Sequence, residues 1–272
     1  MGVKAALALL LVAAVPASSV QYLQSRQLDS GGFAERDEPA SAELTAWAVL
    51  GLRAAGAPAK GAARYLAGHE DDWKSATDVA LGVLGTVAAG GDATRLVKRL
   101  HRFQRRSGAI GPLVNSAVWG AIALRQAGEP VPRRTVRYIL ARQSRGGGWP
   151  WAPGGAPDSN DTAAAIEALR AAGIAPRARS IRRGLGYLRR LQNRDGGFEL
   201  IPGRGSDAQS TAWAIQAFLA ARRSPGRKAF TYLARLRRRD GSYRYSARYA
   251  ATPAWVTAQV LPALARKPFP LR

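Results

Sequence analysis

A short turn signature recurs five times along this chain and restricts it to folds built by stacking copies of one small unit. A glutamine, or an arginine in its place, closes a tyrosine- or leucine-bearing stretch. After three intervening residues comes a glycine, usually with an aromatic two positions beyond. The copies are Gln27-Leu-Asp-Ser-Gly31-Gly-Phe33, Gln104-Arg-Arg-Ser-Gly108-Ala-Ile110, Gln143-Ser-Arg-Gly-Gly147-Gly-Trp149, Gln192-Asn-Arg-Asp-Gly196-Gly-Phe198 and Arg237-Arg-Arg-Asp-Gly241-Ser-Tyr243. A glycine at this point adopts the left-handed conformation that ends a helix without the strain other residues suffer. The glutamine side chain is expected to bond carbonyls left unpaired at that helix end.

Each unit holds two helical patterns. The first is anchored five residues before the glutamine position by Tyr22, Tyr65, Arg99, Tyr138, Tyr187 and Tyr232, spaced 43, 34, 39, 49 and 45 residues apart. The second is an alanine-rich run behind small polar residues, as in Leu44-Thr-Ala-Trp-Ala-Val-Leu-Gly-Leu52, Asp161-Thr-Ala-Ala-Ala-Ile-Glu-Ala-Leu169 and Ser210-Thr-Ala-Trp-Ala-Ile-Gln-Ala-Phe218. Weaker copies start at Ala76, Ser116 and Pro253. Ser, Thr and Asp ahead of such runs are good N-caps. The second helices are apolar nearly all round and so require burial on more than one side. The first helices carry arginines on one face, Arg182, Arg183, Arg189 and Arg190 in the fifth unit, and belong outside. Six inner and six outer helices predict an all-α (α/α)6 toroid in which the last unit packs on the first. The second unit is the weakest copy, with Glu70-Asp-Asp-Trp73 in place of the glycine turn.

The chain has 272 residues and no cysteine, which excludes disulfides and thiolate chemistry. Lys4 followed by the apolar run Ala5 to Val15, then Ala17 and Ser19, has the pattern of a secretory leader cut near Ser19. The alternative is an extra buried helix. This divides the chain into a leader (1–19), a toroid of six repeats (20–267) and a short tail (268–272), with no membrane anchor after cleavage. A secreted or cell-envelope location follows. The net charge of +23 suits loose association with an anionic envelope. Arginines recur around the ring rather than along one groove with aromatics, so no specific nucleic-acid partner is expected.

With repeats, turns and inner helices taken together, the chain resembles the terpenoid cyclase and protein prenyltransferase superfamily. More closely, it is similar to exported bacterial proteins of squalene-cyclase-like or prenyltransferase-like type, over about residues 20 to 267. The same ring also serves cobalamin carriers and complement-like thioester domains, so the resemblance implies fold more than chemistry. Prenyltransferases of this fold bind zinc with an aspartate, a cysteine and a histidine. This chain lacks cysteine and places His69 and His101 near outer-helix ends. No metal or other cofactor is expected. Class II cyclases use the middle acid of Asp-x-Asp-Asp-Thr-Ala to protonate an alkene. The matching stretch is Asp158-Ser-Asn160-Asp161-Thr162-Ala163, with the amide Asn160 in the proton donor's place. Asp158, Asp161 and the parallel Asp207 remain as candidate catalytic acids, with helix capping as the alternative role. A helix N-terminus holds them ionised unless burial or mutual crowding intervenes.

The starts of the inner helices are expected at one mouth of the ring, as a polar, mildly acidic collar over an apolar channel. The candidate ligand-cavity residues are Trp47, Asp78, Trp119, Asn160, Trp213 and Trp255. Indole faces stabilise a cation by about 0.5–2 kcal/mol each, although the equivalent repeat positions of Trp47 and Trp213 favour simple packing. The loop 146–155, glycine-rich with two tryptophans, and the loop 239–249, with three tyrosines, are placed beside that mouth. The expected function is binding of a hydrophobic small molecule, isoprenoid or lipid-like, or of an envelope partner, without class II cyclase or zinc chemistry. The alternatives are an active cyclase-like enzyme and a protein-interaction scaffold.

Overall fold

Among the described residues, twelve α-helices alternate in burial. In the computed structural model, which describes residues 15–271, the outer series is α1 (Ala17–Gln24), α3 (Ala62–Gly68), α5 (Thr94–Arg102), α7 (Arg133–Ala141), α9 (Arg179–Arg190) and α11 (Arg227–Leu236). The inner series is α2 (Ala42–Ala55), α4 (Ala76–Ala88), α6 (Val114–Gln126), α8 (Ser159–Ala171), α10 (Ala208–Ala220) and α12 (Pro253–Leu264). Each inner helix packs on the inner helix before and after it, and α12 packs on α2, so the ring is closed. The reason lies in composition. Outer helices carry one apolar stripe, as with Ile181, Gly184, Leu185 and Leu188 of α9, whereas α10 buries ten consecutive-face positions from Ala208 to Phe218. No described helix is long and apolar enough to cross a membrane.

The turn signature is the contact between units. Gly31, Gly108, Gly147, Gly196 and Gly241 have φ between +88° and +96°. A Cβ on any of them would fall within 2.6 Å of a backbone oxygen at the start of the next outer helix: Gly61, Arg134, Arg183, Lys228 and, across the ring closure, Ser18. The second glycine lies under the next unit's tyrosine in three copies, Gly32 beneath Tyr65, Gly148 beneath Tyr187 and Gly197 beneath Tyr232. The glutamines do not cap helix ends, because the outer helices stop two or three residues earlier. Instead Gln27 donates to the Gly31 and Lys60 carbonyls (2.9 and 2.7 Å), and Gln143 to those of Gly147 and Ser180 (2.8 and 2.9 Å). In the second unit a single 3-10 turn, Glu70–Asp72, replaces the glycines. The Arg99 guanidinium holds it by donating to the carbonyls of Glu70 and Trp73.

The aromatic of each turn is tied to the inner helix that follows. The main-chain N–H groups of Phe33, Trp149, Phe198 and Tyr243 donate to the hydroxyls of Thr45, Thr162, Thr211 and Thr257 at 2.8–3.0 Å. The threonines are therefore acceptors inside the helix, and the caps are Ser41, Ser75, Asp158 and Asp207. In the last unit the equivalent threonine is Thr257, within α12. Two hairpins of two-residue strands, β1 (Trp149–Pro150) with β2 (Pro157–Asp158) and β3 (Phe198–Glu199) with β4 (Ser206–Asp207), stand on the mouth rim. Each rim loop reaches back to the preceding inner helix. Asn115 N–H donates to the Trp151 carbonyl, Ser159 to Leu200 and Ala208 to Tyr245. Glu35 does the same for α12, accepting from Ala254 and Trp255.

Both ends of the described residues pack into the ring. The run Ala5–Ala14 lies outside the described residues. A boundary at Ser19, however, falls within α1, whose Ser19 is fully buried and whose Ser18 carbonyl receives Gly241. The short tail packs as well. Phe269 enters the end of the ring opposite the mouth and is 3% exposed. Its N–H donates to Glu167 at 2.6 Å, and the Leu271 N–H donates to Gln126 at 2.9 Å. The expected apolar channel is consequently filled, not open.

Candidate functional site

What remains of the central well is a cavity of about 240 Å³ at the mouth. Its wall follows one rule. Two residues after the N-cap, five inner helices contribute Glu43, Thr77, Asn115, Asn160 and Gln209, and one turn deeper they contribute Trp47, Leu81, Trp119, Ala164 and Trp213. The same face of α12, displaced by one residue, supplies Trp255 and Gln259. Residues four apart lie above one another on a helix, so each pair is one polar rim group over one deeper group. Asp78 and Asp161, one position further along α4 and α8, complete the lining.

The floor is aromatic. Trp47, Trp119 and Trp213 meet edge to face with ring centroids 5.2–5.8 Å apart, and Trp255 tilts against Trp47 at 6.1 Å. The Phe269 ring lies beneath, 5.8–6.4 Å from the first three. The structure brings Trp47, Asp78, Trp119, Asn160, Trp213 and Trp255 to one cavity. Sequence reasoning missed Gln259 as a lining residue and missed Phe269 beneath it. The four-residue spacing would have found the first; no local signal marks the second.

The three candidate acids separate in the fold. Asp158 caps α8, its Oδ1 accepting from the Asp161 N–H at 2.8 Å. Asp207 caps α10 through both oxygens, from the Ser210 N–H (2.7 Å) and hydroxyl (2.8 Å). Neither lines the cavity. Asp161 does, and its Oδ1 accepts from Asn115 Nδ2 at 2.7 Å, while Asn115 Oδ1 accepts from the Thr77 hydroxyl at 3.3 Å. Burial first, and then the adjacent Asp158, push the Asp161 carboxyl up to about 8. Here burial overrides the helix N-terminus, which alone favours the carboxylate. Glu43 is also raised, by burial and by the charge of Asp78.

A stability profile follows from Asp161. A carboxyl that binds its proton more tightly folded than unfolded weakens the fold as pH rises from near 4 to near 8. Asp161→Asn keeps an acceptor for Asn115 and removes this loss. The variant should match the parent near pH 4 and exceed it at pH 8–9 by on the order of 3 kcal/mol, at about 1.4 kcal/mol per pKa unit with allowance for the Asp158 coupling. Urea unfolding across that range measures it. Parallel curves for parent and variant would refute the burial argument.

The model of the squalene-hopene cyclase C-terminal domain matches residues 117–271, more than half of the chain. The chain belongs to the squalene-hopene cyclase C-terminal domain family. Among solved structures, a protein from Actinoplanes is similar at 20% identity and a TM-score of 0.70, covering 92% of this chain and 97% of that one. The type II terpene cyclase MstE from Scytonema, in a substituted form with its substrate geranylgeranyl dihydroxybenzoate, matches at 15% identity and 0.67, covering 92% and 95%. A glycosidase variant matches nearly as well, at 13% identity and 0.66 over 92% and 96%. At these identities the likeness concerns the fold, which here spans unrelated chemistries. No curated protein sequence matches the chain. Within the squalene-hopene cyclase family, then, the chemistry of this member rests on its own cavity.

Proposed function

We propose that this chain is an exported, ligand-binding member of the family whose mouth cavity takes the compact end of a hydrophobic, isoprenoid or lipid-like molecule. The observation that carries this reading is a cavity of about 240 Å³ floored by three indoles and closed below by Phe269. Cavities that enclose a whole drug-sized ligand run to about 300–1,000 Å³. Only an end group fits, and the remainder leaves through the mouth. There the rim loops present Trp151, Ile201 and Tyr249, each 45–63% exposed, as apolar ground for that remainder or for an envelope partner. Type II terpene cyclase MstE binds a geranylgeranyl substrate in the same fold, which supports the ligand class. Export rests on the leader pattern, with processing ahead of Ala17 so that α1 stays whole.

The chemistry proposed is binding without alkene protonation. Asn160 lines the cavity in the proton donor's place, and an amide supplies no acid. A second reading, an active cyclase, is favoured by Asp161, which keeps its proton at neutral pH. An acid raised to about 8 is protonated but a weak donor, the reverse of what an alkene requires. Titration with geranylgeraniol, followed by tryptophan emission, is expected to saturate in the parent and fail in Ala164→Phe, which fills the wall. Absence of saturable binding would sink the proposal. Cyclised product formed by the parent and lost in Asp161→Asn would establish the enzyme instead.

A further inference from the structure

On a molecule carrying +23, the cavity is lined by Glu43, Asp78 and Asp161 and by no lysine or arginine. None of the three acids takes part in an ion pair among the described residues. The carboxyls come from α2, α4 and α8 and do not converge. Among the described residues no three His, Cys, Asp or Glu side chains are close enough to hold a metal ion. Such a spread suits a bulky, diffuse cation rather than a point charge. The indoles of Trp47, Trp119, Trp213 and Trp255 add ring faces of the kind that stabilise alkylated ammonium groups.

An independent observation points the same way. Gln259 is 3% exposed and lines the cavity, and its side-chain oxygen has no hydrogen-bond partner. An unpaired buried acceptor costs about 1–3 kcal/mol, and a donor entering the cavity removes that cost. A hydrocarbon end group offers none. A protonated amine offers an N–H, and its polarised N–CH groups face the indoles. Glu43 and Asp78 already crowd each other, since burial and the Asp78 charge raise the Glu43 carboxyl. A cation relieves that crowding.

We infer that the end group taken by this cavity is an alkylated ammonium, held between the indoles and the carboxyls of Glu43 and Asp78, with its N–H toward Gln259. This deepens the ligand-binding reading and rests on it. The net charge makes the inference selective, because the field of the whole protein repels a cation and only local groups can reverse that.

The test is a matched pair of probes, geranyldimethylamine, protonated at pH 7, and the neutral hydrocarbon in which CH replaces its ammonium N–H. Calorimetric titration at low salt is expected to show the amine binding at least tenfold tighter. In the Glu43→Gln, Asp78→Asn double variant the preference is expected to vanish while the neutral probe still binds, which reports an intact cavity. Asp78→Asn retains an oxygen for the Ser75 N–H that Asp78 accepts at 2.8 Å. Equal binding of both probes to the parent overturns the ammonium inference and leaves the hydrophobic-ligand reading standing. Binding of neither overturns both. An amine preference that survives in the double variant also overturns the inference, since the charge would then act from elsewhere.

Discussion

Gly241→Ala is expected to cost the protein more than 3 kcal/mol and leave much of it unfolded at 37 °C, an order of magnitude built from left-handed strain of about 1–2 kcal/mol plus a steric overlap. The added methyl would stand 2.2 Å from the Ser18 carbonyl oxygen, with φ at +90°. The oxygen is backbone and the Cβ position is fixed by the backbone that bears it, so no flexible side chain can move aside. Because Gly241 belongs to the last turn and Ser18 to the first helix, the damage falls on ring closure itself. The control is Gly186→Ala in α9, where nothing lies within 4 Å of the new Cβ. That change should raise stability by about 0.5–1 kcal/mol through helix propensity. Thermal unfolding of the two variants beside the parent is sufficient. A Gly241→Ala protein that melts with the parent would mean the first helix does not close the ring.

The repeat was legible because its residues answer geometric demands that every copy shares. A glycine at φ near +90° against a neighbour's backbone permits no substitute, and so it stands out in a sequence. The second unit shows the limit, since Trp73 fills the aromatic site without the glycines by lying against Gly82. Register was harder. Ala254-Trp255 imitates Ala46-Trp47, yet the hydroxyl that accepts from the turn belongs to Thr257, fourteen residues after Tyr243. A hydrogen bond between loop and helix at a spacing that varies from 12 to 14 residues leaves no fixed pattern to find. The cavity wall was partly legible for the same reason as the fold, since equivalent positions recur. The protonation of Asp161 was not, because a helix N-terminus predicts ionisation and only the depth of the site reverses it.

The filled well was the least legible feature and carries the second large effect. Lys267-Pro-Phe-Pro has no periodicity that would mark Phe269 as core, yet its ring touches three of the four central indoles. Phe269→Ala is expected to cost about 3–5 kcal/mol, the range for emptying a buried phenylalanine site. The loss should be paired with a change in the indoles above it. With the floor open, tryptophan emission should shift to the red and acrylamide quenching should rise. A dry apolar void of this kind binds benzene, so benzene should restore part of the lost stability in the variant and none in the parent. Glu167 sets the remaining condition. Its carboxyl is fully buried, raised well above the ordinary range by that burial, and accepts the Phe269 N–H. Burial favours its protonated form, and Glu167→Gln, which keeps an acceptor for that N–H, should keep the plug seated with emission unchanged. If Phe269→Ala instead melts like the parent and its emission stays put, the tail does not close the ring, and the small mouth cavity loses its floor as an argument about ligand size.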